Sequence, residues 1–289
     1  MTFPGATASR AEADYVVAGA PLDVSTTFRP GTRFGPERIR RFARTFDDYD
    51  RTTGRRFSEC GVHDRGEVRA WDDAPAYLAW LAGELRDVVA DGAVPLLLGG
   101  EHTVSAAGVN AVAPDVFVCL DAHLDLRSDY DGNEYSHATV TRRILDRVGA
   151  GVDGGGTDDG DGPAGGGVEE AIVLGARTGS PAEWDRAEAP DVTVVPPEAV
   201  PDFDLDARLG GRRAYLSVDV DAADPGFAPG TGTPEPFGLA PREMREVVRT
   251  VAPYATGFDV VEVNDRDDGQ AASLAAKLCR AFVYAHADG

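Results

Sequence analysis

Lysine is almost missing from this chain. Only Lys277 carries an ammonium among 28 basic residues, against 49 acidic ones, and the formal net charge is −21. So acidic a chain is a poor partner for nucleic acid, whose phosphates are met by cations that release condensed counterions. Net charge speaks to solubility rather than to fold. An acidic, lysine-poor composition suits a cytoplasm of very high salt, where screening weakens self-repulsion. Cysteine is scarce as well: Cys60, Cys119 and Cys279 are an odd set, and Cys119 lies inside an apolar, strand-like run. No disulfide framework follows, and a reducing cytoplasm is the expectation. No apolar run approaches the ~18 residues of a membrane span. The opening Met1-Thr2-Phe3-Pro4-Gly5-Ala6-Thr7 lacks the charged and apolar parts of a secretory signal.

What is present is 289 residues, 43% of them hydrophobic, enough for one large domain over 1–289 with no linker to split it. Apolar runs of strand length alternate with amphipathic runs of helix length. Strands are expected at Tyr15–Ala18, Val94–Leu98, Val116–Leu120, Ala171–Leu174, Val192–Val195, Ala214–Val220 and Phe258–Val263. Helices are expected from about Pro36, over Leu78–Val89, after His102, and over His137–Val148, Pro241–Val251 and Ala271–Ala285. Near-continuous apolar strands separated by helices imply an α/β fold, a mostly parallel sheet covered on both faces. One segment breaks the pattern. Residues 149–167 are almost wholly Gly, Asp, Ala and Thr, with little to bury, and are expected to be a disordered surface insertion.

The chemistry lies at the strand ends. Asp121, His123 and Asp125 follow Val116–Leu120 at every second residue, and Asp219 and Asp221 end Ala214–Val220 in the same spacing. If the backbone stays extended, such residues share a face. With His102 after Gly99-Gly100-Glu101, four carboxylates and two imidazoles converge. Carboxylates packed so densely repel one another unless cations lie between them. Ligand sites in such sheets lie beyond the carboxyl ends of the strands. The pattern is that of a two-metal hydrolase. Glu101 is expected to turn away from the cluster, His63 and His286 to be structural or exposed, and Gly99-Gly100 to permit a tight turn.

Taken together, Gly99-Gly100-Glu101-His102, Asp121-Ala122-His123-Leu124-Asp125, Ser136-His137, Ser217-Val218-Asp219-Val220-Asp221 with Ala222 to Pro225, Ala228 to Pro234 and Val260-Val261-Glu262-Val263-Asn264 resemble the ureohydrolase family of arginases and agmatinases. Gly19 to Asp23 and Arg29 to Pro36 are similar to the agmatinase branch. The resemblance implies an arginase-like three-layer α/β/α fold, two Mn²⁺ ions and a homo-oligomer, trimer or hexamer. One ion would take His102, Asp121, Asp125 and Asp219, the other His123, Asp121, Asp219 and Asp221, so that Asp121 and Asp219 bridge. Oxygen-rich shells with one imidazole per ion suit Mn²⁺ better than structural zinc. By the same resemblance Asp125 passes a proton to the leaving nitrogen, His137 shuttles protons, and Glu262 holds the planar guanidinium.

The substrate expectation rests on what is missing. Where arginases read the amino-acid end of arginine, this sequence has Arg127 and Asn133-Glu134-Tyr135. The loop over 129–134 carries Asp129, Asp131 and Glu134, acids suited to a terminal ammonium. Agmatine, giving putrescine and urea in polyamine synthesis, is therefore expected. Arg127 beside a cationic tail is unfavourable unless one of those acids pairs with it. Aminopropylagmatine, arginine, a formimino substrate and a non-catalytic metal-binding relative are the alternatives. Neither nucleic acid nor a membrane is an expected partner.

Overall fold

The computed structural model describes residues 1–146 and 167–288. The expected insertion, 149–167, lies outside them except for Gly167, which is exposed. In chain order the elements are β1 (Tyr15–Ala20), α1 (Gly35–Ala43), the hairpin β2 (Tyr49–Asp50) and β3 (Arg55–Arg56), β4 (Val62–Glu67), α2 (Ala74–Ala90), β5 (Val94–Gly99), α3 (Ser105–Val112) and β6 (Val116–Leu120). There follow α4 (Val140–Asp146), β7 (Glu170–Leu174), α5 (Pro181–Ala187), β8 (Val192–Val195), α6 (Leu205–Leu209), β9 (Ala214–Asp219), α7 (Pro241–Val251), β10 (Ala255–Val261) and α8 (Gln270–His286).

Eight strands form one sheet in the order β4-β1-β5-β10-β9-β6-β7-β8, and every pairing in it is parallel. Strand side chains alternate between the two faces. On one face Tyr15, Val17, Leu96, Leu98, Leu216, Val218, Phe258 and Val260 pack with α1, α7 and α8. On the other Ala18, Leu97, Phe117, Cys119, Val173 and Tyr215 pack with α2, α3 and α4. The rings of Phe258 and Phe282 stack with centroids 4.7 Å apart and fix α8 to the sheet. Each fully buried side chain of this size stabilises the fold by roughly 1.5–3 kcal/mol. Close approach on the second face needs a glycine: a Cβ on Gly108 of α3 would lie 1.9 Å from the Tyr215 hydroxyl.

Helix starts follow local chemistry. Asp73 accepts from the Ala76 amide at 3.1 Å ahead of α2, and Ser180 forms a capping box with Glu183 at the start of α5. Two features escaped the periodicity reading. β4, Val-His-Asp-Arg-Gly-Glu, is a polar edge strand with no apolar run. It is held to α1 by Arg40, whose guanidinium grips both Asp64 oxygens at 2.8 and 2.9 Å in a buried bidentate pair. The short helices α5 and α6 also went unread. The helix expected over His137–Val148 is a 3-10 turn at His137–Thr139 followed by α4, and its last two residues, 147–148, lie outside the described ones.

Candidate metal centre

Four adjacent strands in the middle of the sheet, β5, β10, β9 and β6, carry the site at their carboxyl ends. His102 opens a 3-10 turn just beyond β5, Asp121 follows β6, Asp219 ends β9, and Glu262 follows β10. The turn out of β5 is tight: a Cβ on Gly100 would fall 1.9 Å from the Leu22 carbonyl.

All six expected ligands converge. His102 Nδ1 lies 2.8 Å from Asp125 Oδ2, 3.1 Å from Asp121 Oδ2 and 3.7 Å from Asp219 Oδ2. His123 Nδ1 lies 3.1 Å from Asp221 Oδ2 and 3.5 Å from Asp121 Oδ1. Asp121 therefore faces both imidazoles. The route to this convergence differs from the expected extended backbone. Beyond Leu120 the chain leaves the strand, and Asp125 reaches the cluster through a left-handed conformation, φ +51°. Asp221 sits in a 3-10 turn, Val220–Ala222, whose start is capped by Asp219 accepting from the Asp221 amide at 2.8 Å.

The electrostatics call for cations. Burial and the neighbouring Asp121 push the Asp125 carboxyl up to about 7. Asp219 is driven well above the carboxylate range by burial and then by Asp221, Asp121 and Glu262. Glu262 is driven up by burial, with Glu101 and Asp221 adding to it. Burial opposes a charge on the imidazoles, yet the acids win: hydrogen bonds to Asp121 and Asp125 hold His102 high, and Asp221 with Asp121 raises His123 to about 12. Buried carboxylates of one sign that can ionise only beside positive charge are the donor set a pair of divalent cations satisfies. Asp121, His123 and Asp221 already place a donor atom each within 4.8 Å of one another.

Cys119 shares a second such group with His102 and Asp121. Its sulfur lies 3.6 Å from His102 Nε2, the ring nitrogen facing away from the acids. Burial pushes the thiol up to about 12, so it lines the centre as a neutral wall. Ser217 Oγ lies 3.2 Å from the same Nε2 and donates to Asp259 at 2.6 Å, and Tyr215 donates to Asp259 at 2.8 Å. With its own proton on Asp259, the Ser217 oxygen accepts from Nε2–H. With Nε2–H so placed, Nδ1 is the nitrogen that would give up its proton to hold a cation beside the acids.

Sequence reasoning missed Ser217 and Asp259 because each reads as an ordinary strand residue. It also missed Ser25, Thr27 and the task of Glu101, which turns away from the cluster as expected. Glu101 accepts from the Val24 and Ser25 amides and from the Ser25 and Thr103 hydroxyls at 2.7–2.8 Å, tying the loop after β1 to the site. Ser25 Oγ in turn accepts from the His137 amide at 2.9 Å, and Thr27 Oγ1 lies 3.1 Å from His137 Nε2. Burial first, then His123 and His102, lowers His137 to about 4. His63 and His286 are structural: His63 Nδ1 meets the Ala8 carbonyl at 2.9 Å, and His286 meets Tyr15 and Ala255.

A cleft of about 320 Å³ opens over the centre, lined by His123, Asp125, His137, Thr27, Arg127, Tyr130, Glu183, Thr233 and Glu235 among others. Glu262 does not line it: one oxygen accepts from the His102 amide at 2.8 Å. A larger groove, about 710 Å³, runs along α8 and contains none of the site residues. The acidic-loop expectation needs correcting. Asp129, Asp131 and Glu134 are not among the cleft's lining residues, and Arg127 pairs instead with Glu183 at 3.1 Å while lying 5.0 Å over the Tyr130 ring.

This architecture has relatives. The Arginase family model matches residues 13–284. The chain belongs to the arginase family. It is 33% identical to the N(1)-aminopropylagmatine ureohydrolase of Thermococcus kodakarensis, over 92% of this chain and 88% of that protein. It is also 33% identical to the agmatinase of Pyrococcus horikoshii, over 92% of this chain and 90% of that one. The crystal structure of agmatine ureohydrolase from Thermoplasma volcanium superposes with a TM-score of 0.85 at 33% identity, covering 99% and 94% of the two chains. The all-parallel sheet covered on both faces is thus the arginase-like α/β fold. As an arginase-family protein this chain is a hydrolase of a class built on binuclear metal sites. Among the described residues no helix is long and apolar enough to cross a membrane.

Proposed function

We propose that this arginase-family chain hydrolyses agmatine to putrescine and urea with two Mn²⁺ ions per chain, as one catalytic domain over 1–289. The observation that carries the reading is the convergence of His102, Asp121, His123, Asp125, Asp219 and Asp221 beneath a cleft that also holds His137. His102, Asp121, Asp125 and Asp219 would hold one ion, and His123, Asp121, Asp219 and Asp221 the other. Such a pair supplies a hydroxide nucleophile near neutral pH and offsets charge on the reacting oxygen.

The remaining work falls to side chains. A guanidinium carbon is a poor electrophile because its charge is delocalised, so the attacking water must be positioned. A carboxylate oxygen of Asp125 takes a proton from that water and delivers it to the leaving nitrogen. The new C–O bond forms as the bond from carbon to the alkyl-bearing nitrogen breaks, and urea and a primary amine result. His137, neutral at pH 7, relays protons between the cleft and solvent. Glu262, with Oε1 held by the His102 amide at the floor of the site, would orient the guanidinium through its other oxygen, Oε2.

Agmatine is favoured over arginine because Arg127 and Asn133-Glu134-Tyr135 occupy the places where arginases read the amino-acid end. Aminopropylagmatine is the second reading, favoured by the Thermococcus relative. The acidic, lysine-poor composition supports work in a cytoplasm of high salt, and the family resemblance supports a homo-oligomer. Urea release by manganese-loaded protein in molar salt tests the proposal. Agmatine should exceed arginine in kcat/KM by at least ~10, equivalent to ~1.4 kcal/mol. Equal or better use of arginine overturns the agmatine reading.

A further inference from the structure

Glu235 and Arg127 bring opposite charges to the cleft, but only one of them is already answered. Arg127 is paired with Glu183, which is itself fixed by the Ser180 amide and hydroxyl, both donating to it at 2.8 Å. The Arg127 guanidinium also rests on Tyr130. Among the described residues no protein cation pairs with the Glu235 carboxylate. The main chain that carries it is nonetheless held. Arg177 donates to the carbonyls of Glu235 at 2.7 Å and Pro236 at 3.0 Å, and to that of Asp221 at 2.9 Å. This ties the segment to the turn that presents the metal ligands.

The segment also runs in a useful direction. Thr233 Oγ1 donates to Asp221 Oδ2 at 3.3 Å, so the wall starts at the metal centre. Glu235 is half-buried, and Phe237, two residues on, is 88% exposed. Two residues of chain reach at most about 7 Å, so Glu235 lines the same cleft as Thr233 within the length of a short alkyl chain from it. The carboxylate is unpaired by protein, anchored, and set in a partly enclosed cleft where salt screens less than at an open surface.

We propose that Glu235 is the specificity-determining residue that reads the distal ammonium of the substrate, while Arg127, neutralised by Glu183, is not a carboxylate reader. The inference rests on the guanidino-hydrolase reading and narrows its substrate class to guanidines with a cationic tail. The alternative, that Arg127 draws a carboxylate tail through its terminal N–H groups, would set that tail beside the buried Glu183 carboxylate already held 3.1 Å from Nε, where like charge opposes it.

The test compares urea release from agmatine, n-butylguanidine and 4-guanidinobutyrate by the metal-loaded protein. The wild type should prefer agmatine to n-butylguanidine by at least about tenfold in kcat/KM. Glu235→Gln should bring that ratio close to unity, chiefly through KM for agmatine, and Glu235→Asp should keep part of it. A ratio unchanged in Glu235→Gln, or equal losses on both compounds, overturns the proposal, since a merely structural role would lower both together. Preference of the wild type for 4-guanidinobutyrate overturns it in favour of Arg127 and leaves guanidine hydrolysis standing. Urea from none of the three overturns the underlying reading as well. If Glu235→Gln fails to fold, Glu235→Asp carries the test: a lowered agmatine to n-butylguanidine ratio supports the proposal, and an unchanged ratio overturns it.

Discussion

The main-chain N–H of His102 donates to Glu262 Oε1 at 2.8 Å, joining the ends of β5 and β10 directly beneath the metal centre. Glu262 holds a left-handed backbone, φ +62°, and its own amide donates to the Gly100 carbonyl at 2.8 Å. A non-glycine residue in this region costs on the order of 1–3 kcal/mol and persists where the surroundings over-determine it. These two bonds do so, and Asp125, φ +51°, is a second strained residue of the same site.

Glu262→Gln separates structure from charge. The amide oxygen can still accept from His102, and the buried charge that burial disfavours is gone. The metal-free variant should melt at or above the wild-type temperature, while urea release falls at least ~100-fold, equivalent to ~2.7 kcal/mol of lost guanidinium binding. Glu262→Ala should instead lose about 1–3 kcal/mol of stability, because the His102 amide is left without a partner. Calorimetry and a urea assay on both variants check the pair of expectations.

Metal content tests the division of ligands. Asp121 faces both imidazoles, and Asp219 approaches His102 and caps the turn that carries Asp221. Asp121→Ala or Asp219→Ala should lose nearly all bound manganese and activity. His102→Ala should deplete one ion in preference to the other. Two full equivalents in dialysed Asp219→Ala, by elemental analysis, would refute the bridging role.

The sequence made most of the sheet legible because buried parallel strands are apolar runs, and Val94–Gly99 and Val116–Leu120 are hard to read as anything else. β4 was invisible because its stability comes from pairing and the Arg40–Asp64 grip rather than from apolar side chains. The ligands were legible as residue types at strand ends. Their geometry was not, since Asp125 and Asp221 arrive through turns whose dihedrals no spacing rule encodes. The charge environment of Arg127 was misjudged for the same reason. Glu183 is remote from Arg127 in sequence, and only the packing of α5 beside the loop after β6 brings them together.

Phe237 offers a test of strain away from the chemistry. It has φ +66°, its side chain is 88% exposed, and its amide donates to Asp224 Oδ2 at 2.7 Å. An exposed aromatic ring contributes little packing there, whereas the left-handed conformation costs an L-residue about 1–2 kcal/mol. Glycine removes that cost but has more freedom to lose on folding. The balance predicts that Phe237→Gly raises stability by roughly 0.5–1 kcal/mol, read as a higher denaturation midpoint with unchanged slope. A lower midpoint would mean that the freedom glycine loses on folding outweighs the strain it relieves.

His137 ties stability to pH in a direction that can be fixed in advance. Its pKa, near 6.5 when unfolded, is lowered to about 4 by burial and by the positive charge of His123 and His102. Between those values the unfolded chain binds a proton that the folded chain refuses, so stability rises with pH across the window. The contribution is fully present above about 6.5 and is lost as pH falls through about 4. Bound divalent ions act in the same direction as the charged imidazoles, so loading the centre should not reverse the slope. His137→Asn removes the titrating group while leaving an amide to meet Thr27. It should remove that contribution, so the wild-type minus variant stability difference should rise between pH 4 and 6.5, measured by chemical denaturation. The same variant should keep both ions and lower turnover by roughly 10²–10⁴-fold, the scale of general acid–base help. Loss of manganese from His137→Asn would move the residue into the ligand set and overturn the proton-relay role.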